Sequence, residues 1–259
     1  MTIGHTIVGS GERRVIVLHG WFGDYSVFEP MLPYLDTTAF SYAFMDYRGY
    51  GKSRFQAGEH TMKEIAGDAI ALADHLGWER FAVVGHSMGG MAVQRVAVDA
   101  SARVLGGVAI TPVPASGVPF DEGGWALFSG AADDDGNRRT ILDVTTGQRL
   151  SGAWLDWMVR RSREVTTRDA FADYFVAWAK TDFVAEANGL TTPLLVLPGE
   201  HDPALTVDVM KQTFLAWYPN ARMEVLANAG HYPMQETPVR LATVIEAFLR
   251  GLGGSSAAS

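Results

Sequence analysis

Short, almost unbroken apolar runs recur along the chain: RVIVLHG (14–20), FSYAFMD (40–46), RFAVVGH (80–86), RVLGGVAIT (103–111), TPLLVLPGE (192–200) and ARMEVLANAG (221–230). Each is rich in Val, Ile, Leu or Phe, and most end in Gly, Asp or Pro. Runs of this kind suit strands buried on both faces, as in a parallel sheet. Helical periodicity fills the intervals. TMKEIAGDAIALADHLG (61–77) opens with Thr61 and Glu64 at capping-box spacing, stripes Ile65, Ala69, Leu72 and Leu76, and reaches Gly77 where a C-terminal cap belongs. TPVRLATVIEAFL (237–249) places Thr237 at the N-cap, Pro238 at the first helical position, and Leu241, Val244, Ile245 and Phe248 on one stripe. Strands alternating with helices predict an α/β fold, a mostly parallel twisted sheet with right-handed crossovers and helices on its faces.

The alternation stops between 116 and 189, where no strand-like run occurs. Ser151 stands as a cap for AWLDWMVRRSREV, with Trp154, Trp157, Met158 and Arg161 on one side. Thr167 stands as a cap for RDAFADYFVAWAK, which stripes Phe171, Tyr174, Phe175 and Trp178. Trp125, Trp154, Trp157 and Trp178, four of the seven tryptophans, fall in this block. The expected organisation is therefore a core of 1–115 and 190–250 with a helical insertion, 116–189, packed over the sheet. Most of its aromatics would form the insertion's own core. GLGGSSAAS (251–259) reads as a flexible tail.

Composition narrows the partners. With 47% apolar residues in 259, a sizeable core can be buried. The net charge of −8, without a basic cluster, makes nucleic acid and anionic membranes poor partners. The absence of cysteine excludes disulfides, thiol catalysis and Cys-based zinc sites. The N-terminal stretch lacks an apolar region of signal-peptide length, and no apolar run approaches transmembrane length, so a cytoplasmic protein is expected.

Candidate chemistry centres on GHSMG (85–89), a G-x-S-x-G pattern between a buried-strand run and the helix-compatible MGGMAVQRVAVD. Glycines at 85 and 89 suit a turn too tight for a Cβ, with the Ser87 hydroxyl exposed above the sheet. Serine needs a base. His231, in the loop after the last strand-like run, reaches the carboxyl edge of the sheet, where open α/β sheets bind ligands. His86 adjoins Ser87 but points away from it, and His19 and His201 read as supporting or solvated. Asp202, in a loop just past a strand, is the preferred orienting acid; Glu200 is its rival, at the strand terminus. The order is Ser87, Asp202, His231. Asp202 would fix the tautomer of His231, which takes the serine proton. An oxyanion site is expected from backbone N–H groups, that of Met88 and that of Trp21, with Phe22 as the second choice for the latter.

Five motifs in order, HGW (19–21), DYRGYGKS (46–53), GHSMGG (85–90), GEHDPAL (199–205) and GHYPMQETP (230–238), resemble the α/β-hydrolase superfamily in its serine-hydrolase branch, esterase- or lipase-like with a helical cap. In DYRGYGKS the likeness implies a structural loop ordered by Asp46 and Arg48. It implies acyl transfer from a small-molecule ester to water through an acyl-enzyme, with no metal or organic cofactor. Serine at 87 excludes an aspartate nucleophile of the epoxide-hydrolase kind. Phe22, Trp125, Trp154, Trp157, Trp178 and Tyr232 are expected to line a largely apolar pocket. Lactones and thioesters fit such a site as well. Cofactor-free perhydrolases and haloperoxidases look similar but carry proline where this chain has Phe22-Gly23. Ring-cleavage C–C hydrolases carry a Gly- and Pro-rich segment that is absent here. Amide hydrolysis has nothing in its favour. A hydrolase-derived ligand sensor, like the plant strigolactone and karrikin receptors, is the alternative of a different class.

Overall fold

The computed structural model describes residues 2–252. Seven strands form one sheet: β1 (His5–Val8), β2 (Arg13–Leu18), β3 (Phe40–Met45), β4 (Phe81–His86), β5 (Val104–Ile110), β6 (Leu194–Leu197) and β7 (Ala221–Met223). Their order is β1-β3-β2-β4-β5-β6-β7, parallel throughout except β1, which pairs antiparallel with β3. The six apolar runs became β2 to β7, and β3 and β4 are buried along their whole length. β1 has no counterpart among those runs. It is four residues long and half-exposed, an edge strand with too little apolar signal to stand out.

Helix α1 (Met62–His75) begins at Thr61, whose hydroxyl accepts from the Glu64 N–H at 3.1 Å. The Glu64 carboxylate does not close a capping box on Thr61; it accepts from Glu59 N–H and His60 N–H instead. Helix α2 (Met88–Asp99) follows β4 directly and is buried over most of its length. Between β5 and β6 run five helices: α3 (Glu122–Gly130), α4 (Asp135–Thr145), α5 (Gly152–Val165), α6 (Arg168–Lys180) and α7 (Val184–Ala187). The Ser151 and Thr167 hydroxyls cap α5 and α6 as their positions predict. On α6 the buried stripe is the expected one. On α5 it is Leu155, Met158, Val159, Ser162 and Val165, so the inward face is rotated from the tryptophan side and Trp157 is left 37% exposed. After β6 come α8 (Val207–Gln212) and α9 (Phe214–Trp217), then β7, α10 (Pro233–Glu236) and α11 (Pro238–Gly251). Pro238 opens α11, but Thr237 makes no side-chain cap. Gly251 closes α11, so only 253–259 of the expected tail lie outside the described residues. Among the described residues no helix is long and apolar enough to cross a membrane.

The junction of β4 and α2 leaves no room for a side chain at two positions. A Cβ built on Gly85 would lie 2.1 Å from the Gly89 carbonyl oxygen, and one on Gly89 would lie 2.5 Å from that of Leu18. Gly67, on the exposed face of α1, has nothing within 4 Å of its Cβ position. Gly85→Ala is therefore expected to cost about 2 kcal/mol or more, lowering Tm by at least about 4 °C. Gly67→Ala should instead stabilise by about 0.5–1 kcal/mol. Thermal unfolding followed by circular dichroism separates the two; equal effects would contradict the packing.

Candidate active site

Ser87 occupies the turn between β4 and α2 at φ 55, ψ −116, far from the conformations a non-glycine residue prefers. Four backbone bonds hold it there. Its N–H donates to the Ile110 carbonyl, and its own carbonyl accepts from Gly90, Met91 and Val113. The side chain is left free of the backbone and makes no cap to α2.

The loop after β7 brings His231 to it. His231 Nε2 lies 2.9 Å from Ser87 Oγ, and Nδ1 lies 2.6 Å from Asp202 Oδ2. An ionised carboxylate only accepts, so Nδ1 carries the proton and Nε2 is free to accept from the serine hydroxyl. Asp202 is buried, and its other oxygen accepts from the backbone N–H groups of Ala204 and Leu205. Glu200, the rival acid, is exposed and bonds the Asn228 N–H; half-exposed His201 lies beside it.

The backbone around His231 is held on every side. Its carbonyl accepts from His86 Nε2–H at 2.7 Å and from the Thr111 hydroxyl at 3.1 Å, and its N–H donates to Thr145 at the end of α4. Glu236 accepts from the N–H groups of the flanking Gly230 and Tyr232, and pairs with Arg149, which also donates to the Asn228 carbonyl. The sequence reading missed Glu236 and Arg149, because carboxylate-to-backbone bonds have no motif of their own.

On the other side, the end of β2 turns at His19-Gly20-Trp21. His19 is fully buried, donates from Nδ1 to the Gly20 carbonyl and accepts the Tyr47 N–H at Nε2. The Gly20 carbonyl shares its peptide plane with the Trp21 N–H, so this bond sets the direction of that donor. Among the described residues, neither the Trp21 nor the Met88 N–H donates to another protein group. Met88 is the first residue of α2, whose N-terminal N–H groups have no intrahelical acceptor.

A cavity of about 180 Å³ opens above Ser87 and His231. Trp21, Phe22, Trp178 and Tyr232 line it, together with Val113, Val118, Phe120, Phe128, Ile141, Val144, Thr145, Ala204 and Leu205. Three expected lining residues do not reach it. Trp125 packs outside, against Phe120 and Phe175 and under Lys180; Trp154 packs edge-on behind Tyr232 and bonds Gln235; Trp157 faces outward on the rotated α5. Their places are taken by Phe120, Phe128 and aliphatic residues. The Thr145 hydroxyl is turned back onto its own helix carbonyls, so it offers no polar anchor. Wider depressions of about 400 and 560 Å³ lie at the opposite edge of the sheet, near Arg13 and Asn220, away from Ser87. Among the described residues no cluster of His, Asp or Glu is placed to hold a metal ion.

Burial keeps two histidines uncharged. His19 is pushed down to about 4, and His86 falls well below its ordinary value through burial and the neighbouring His231. In the unfolded chain each returns to about 6.5. Between those values the unfolded state binds more protons than the folded one, so stability is lost as pH falls from about 6.5 to 4. Asp46, raised by burial to about 6, opposes this with one proton that the folded state retains. Two histidines outweigh one carboxylate, so the net effect is a loss of stability as pH falls through this range. Urea midpoints should fall steadily from pH 6.5 to 4.5; a flat or rising midpoint would contradict neutral, buried histidines.

The comparisons with known proteins agree with this architecture. The model of the alpha/beta hydrolase family matches residues 15–244. A non-heme haloperoxidase of Rhodococcus erythropolis is 29% identical over 238 residues, covering 86% of each chain. Two solved structures share the fold at 19% identity: a hydrolase from Oleispira antarctica (TM-score 0.84, covering 96% of this chain and 94% of that one) and an esterase from Exiguobacterium antarcticum (0.83, 96% and 95%). With a family match over most of its length and a parallel sheet that carries Ser87, Asp202 and His231 on its carboxyl edge, the chain belongs to the alpha/beta hydrolase family.

Proposed function

We propose that the protein is a serine hydrolase that cleaves carboxylic esters with small, uncharged, apolar or aromatic acyl groups. The observation that carries this reading is His231 bridging Ser87 and Asp202 at 2.9 and 2.6 Å on the floor of an apolar cavity. In this mechanism His231 Nε2 takes the hydroxyl proton as Ser87 Oγ attacks the ester carbonyl. The Trp21 and Met88 N–H groups receive the oxyanion, each donor contributing about 3 kcal/mol to the transition state. His231 then protonates the leaving alcohol. Water, deprotonated by the same nitrogen, releases the acid from Ser87.

The cavity sets the acyl group. A cavity of about 180 Å³ lies below the usual range of ligand pockets, which favours short chains. No Lys, Arg or Asn side chain lines it, so a second carboxylate on the substrate would be buried unpaired. A perhydrolase reading, in which hydrogen peroxide replaces water at the acyl-enzyme, draws its support from the relative named a haloperoxidase.

A panel of p-nitrophenyl esters tests the proposal. Turnover should disappear in Ser87→Ala, and Asp202→Asn should lower kcat by about 10⁴-fold with the fold intact. Ester hydrolysis by Ser87→Ala at the wild-type rate would refute the assignment. A single slow turnover with the acyl group trapped would fit the sensor reading. Across acyl lengths, kcat/KM should rise about fourfold per methylene until the cavity is full. Monoesters of succinate should be poorer than butyrate esters by at least about 10²-fold; comparable rates would contradict an uncharged pocket.

A further inference from the structure

The DYRGYGKS loop and the helical insertion touch the reacting groups without contributing an atom to the chemistry. The Trp21 indole Nε1–H donates to the Phe171 carbonyl of α6 at 2.7 Å, and its ring stacks on the Phe171 ring at 4.1 Å. Phe171 is itself covered by the buried Arg138 guanidinium at 3.7 Å, which α4 supplies and the Ala131 carbonyl and Ser162 hydroxyl hold in place. The Trp21 carbonyl accepts from the Tyr50 hydroxyl at 2.9 Å. Tyr50 in turn sits in a backbone bridge with Thr166, and the Thr167 N–H donates to the Gly49 carbonyl, both at the α5–α6 junction. Both the side chain and the carbonyl of Trp21 are thus tied, directly or through Tyr50, to the insertion. On the opposite side of Ser87, Arg149 of the insertion holds Glu236 at 2.9 Å and the Asn228 carbonyl at 3.0 Å, and so grips the loop that carries His231.

We propose that the insertion positions the reacting groups as well as walling the cavity, with Tyr50 and the Trp21 indole anchoring the residue that carries the oxyanion donor and the Arg149–Glu236 pair setting the base. The proposal rests on the serine-hydrolase reading above. Misplacing a reacting group by about 1 Å costs about 10²-fold in rate, so these contacts act on kcat more than on substrate affinity. None of them changes the protonation or identity of a reacting atom; they are positioning residues.

Tyr50→Phe and Arg149→Met test it, because neither side chain lines the cavity. Each should lower kcat on p-nitrophenyl butyrate tenfold or more while KM moves less than about threefold. Each should weaken an alkylboronic acid, which mimics the tetrahedral intermediate on Ser87, by the same factor as kcat/KM. Butyrate, the product acid, should bind as it does to wild type. Arg149→Lys should recover part of the lost kcat. Wild-type kcat in both variants, with or without a lowered Tm, would overturn the proposal, as would equal weakening of boronic acid and butyrate. Ser87→Ala run in parallel separates the two failures. If wild type shows no Ser87-dependent turnover, the hydrolase reading and this inference fall together. If that turnover is present and the variants match wild type, only the inference falls.

Discussion

A serine held at φ 55 and ψ −116 sits on backbone strain of about 1–3 kcal/mol, and the surrounding chain has to sustain it. Two requirements follow from the turn. The residues before and after must be small enough to let β4, α2 and the end of β2 converge, which is the role of Gly85 and Gly89. The four backbone bonds of Ser87 must also have partners, and β5 with its following loop supplies two of them through Ile110 and Val113. The strand order places β4 between β2 and β5, so the neighbours that carry these contacts are fixed by topology. The same geometry raises the side chain clear of the helix, where a base can reach it.

The remaining groups arrive from the carboxyl ends of other strands, each on a loop whose backbone is fastened. Asp202 is held by two N–H groups, His231 by His86 and Thr111, its two neighbours by Glu236, and the Gly20–Trp21 peptide by His19. Each supporting histidine donates its bond from one ring nitrogen and leaves the other unprotonated, and burial holds both in that uncharged state. Neutral imidazole used as a fixed bracket is a different use of histidine from the one at 231. Sequence spacing alone does not distinguish them.

Most of the core was legible because buried strands leave continuous apolar runs and capped helices leave Ser or Thr at their starts. The convergence of Ser87, Asp202 and His231 was legible because each lies just past such a run, in loops bounded by Gly and Pro. β1 was not, since four half-exposed residues carry almost no pattern. The inward face of α5 is hidden in the sequence by its tryptophans, because Leu155 and Val159 make the contact and Trp157 covers the outside. The cavity wall was half-legible for the same reason. Phe120 and Phe128 reach it from the neighbourhood of α3, a helix with no buried residue and hence no stripe to read. Contacts such as Arg149 with Glu236 join segments 87 positions apart and depend on tertiary placement alone.

The close approach of Gly230 to the end of α4 limits how this architecture can diverge. A Cβ at 230 would stand 2.8 Å from the Thr146 Cα and 3.1 Å from its carbonyl. These are backbone atoms and cannot rotate aside, so any side chain there would require the end of α4 to lift. The segment before the histidine and the end of α4 therefore share one volume, and replacing the helices between β5 and β6 as an independent module would have to respect its boundary.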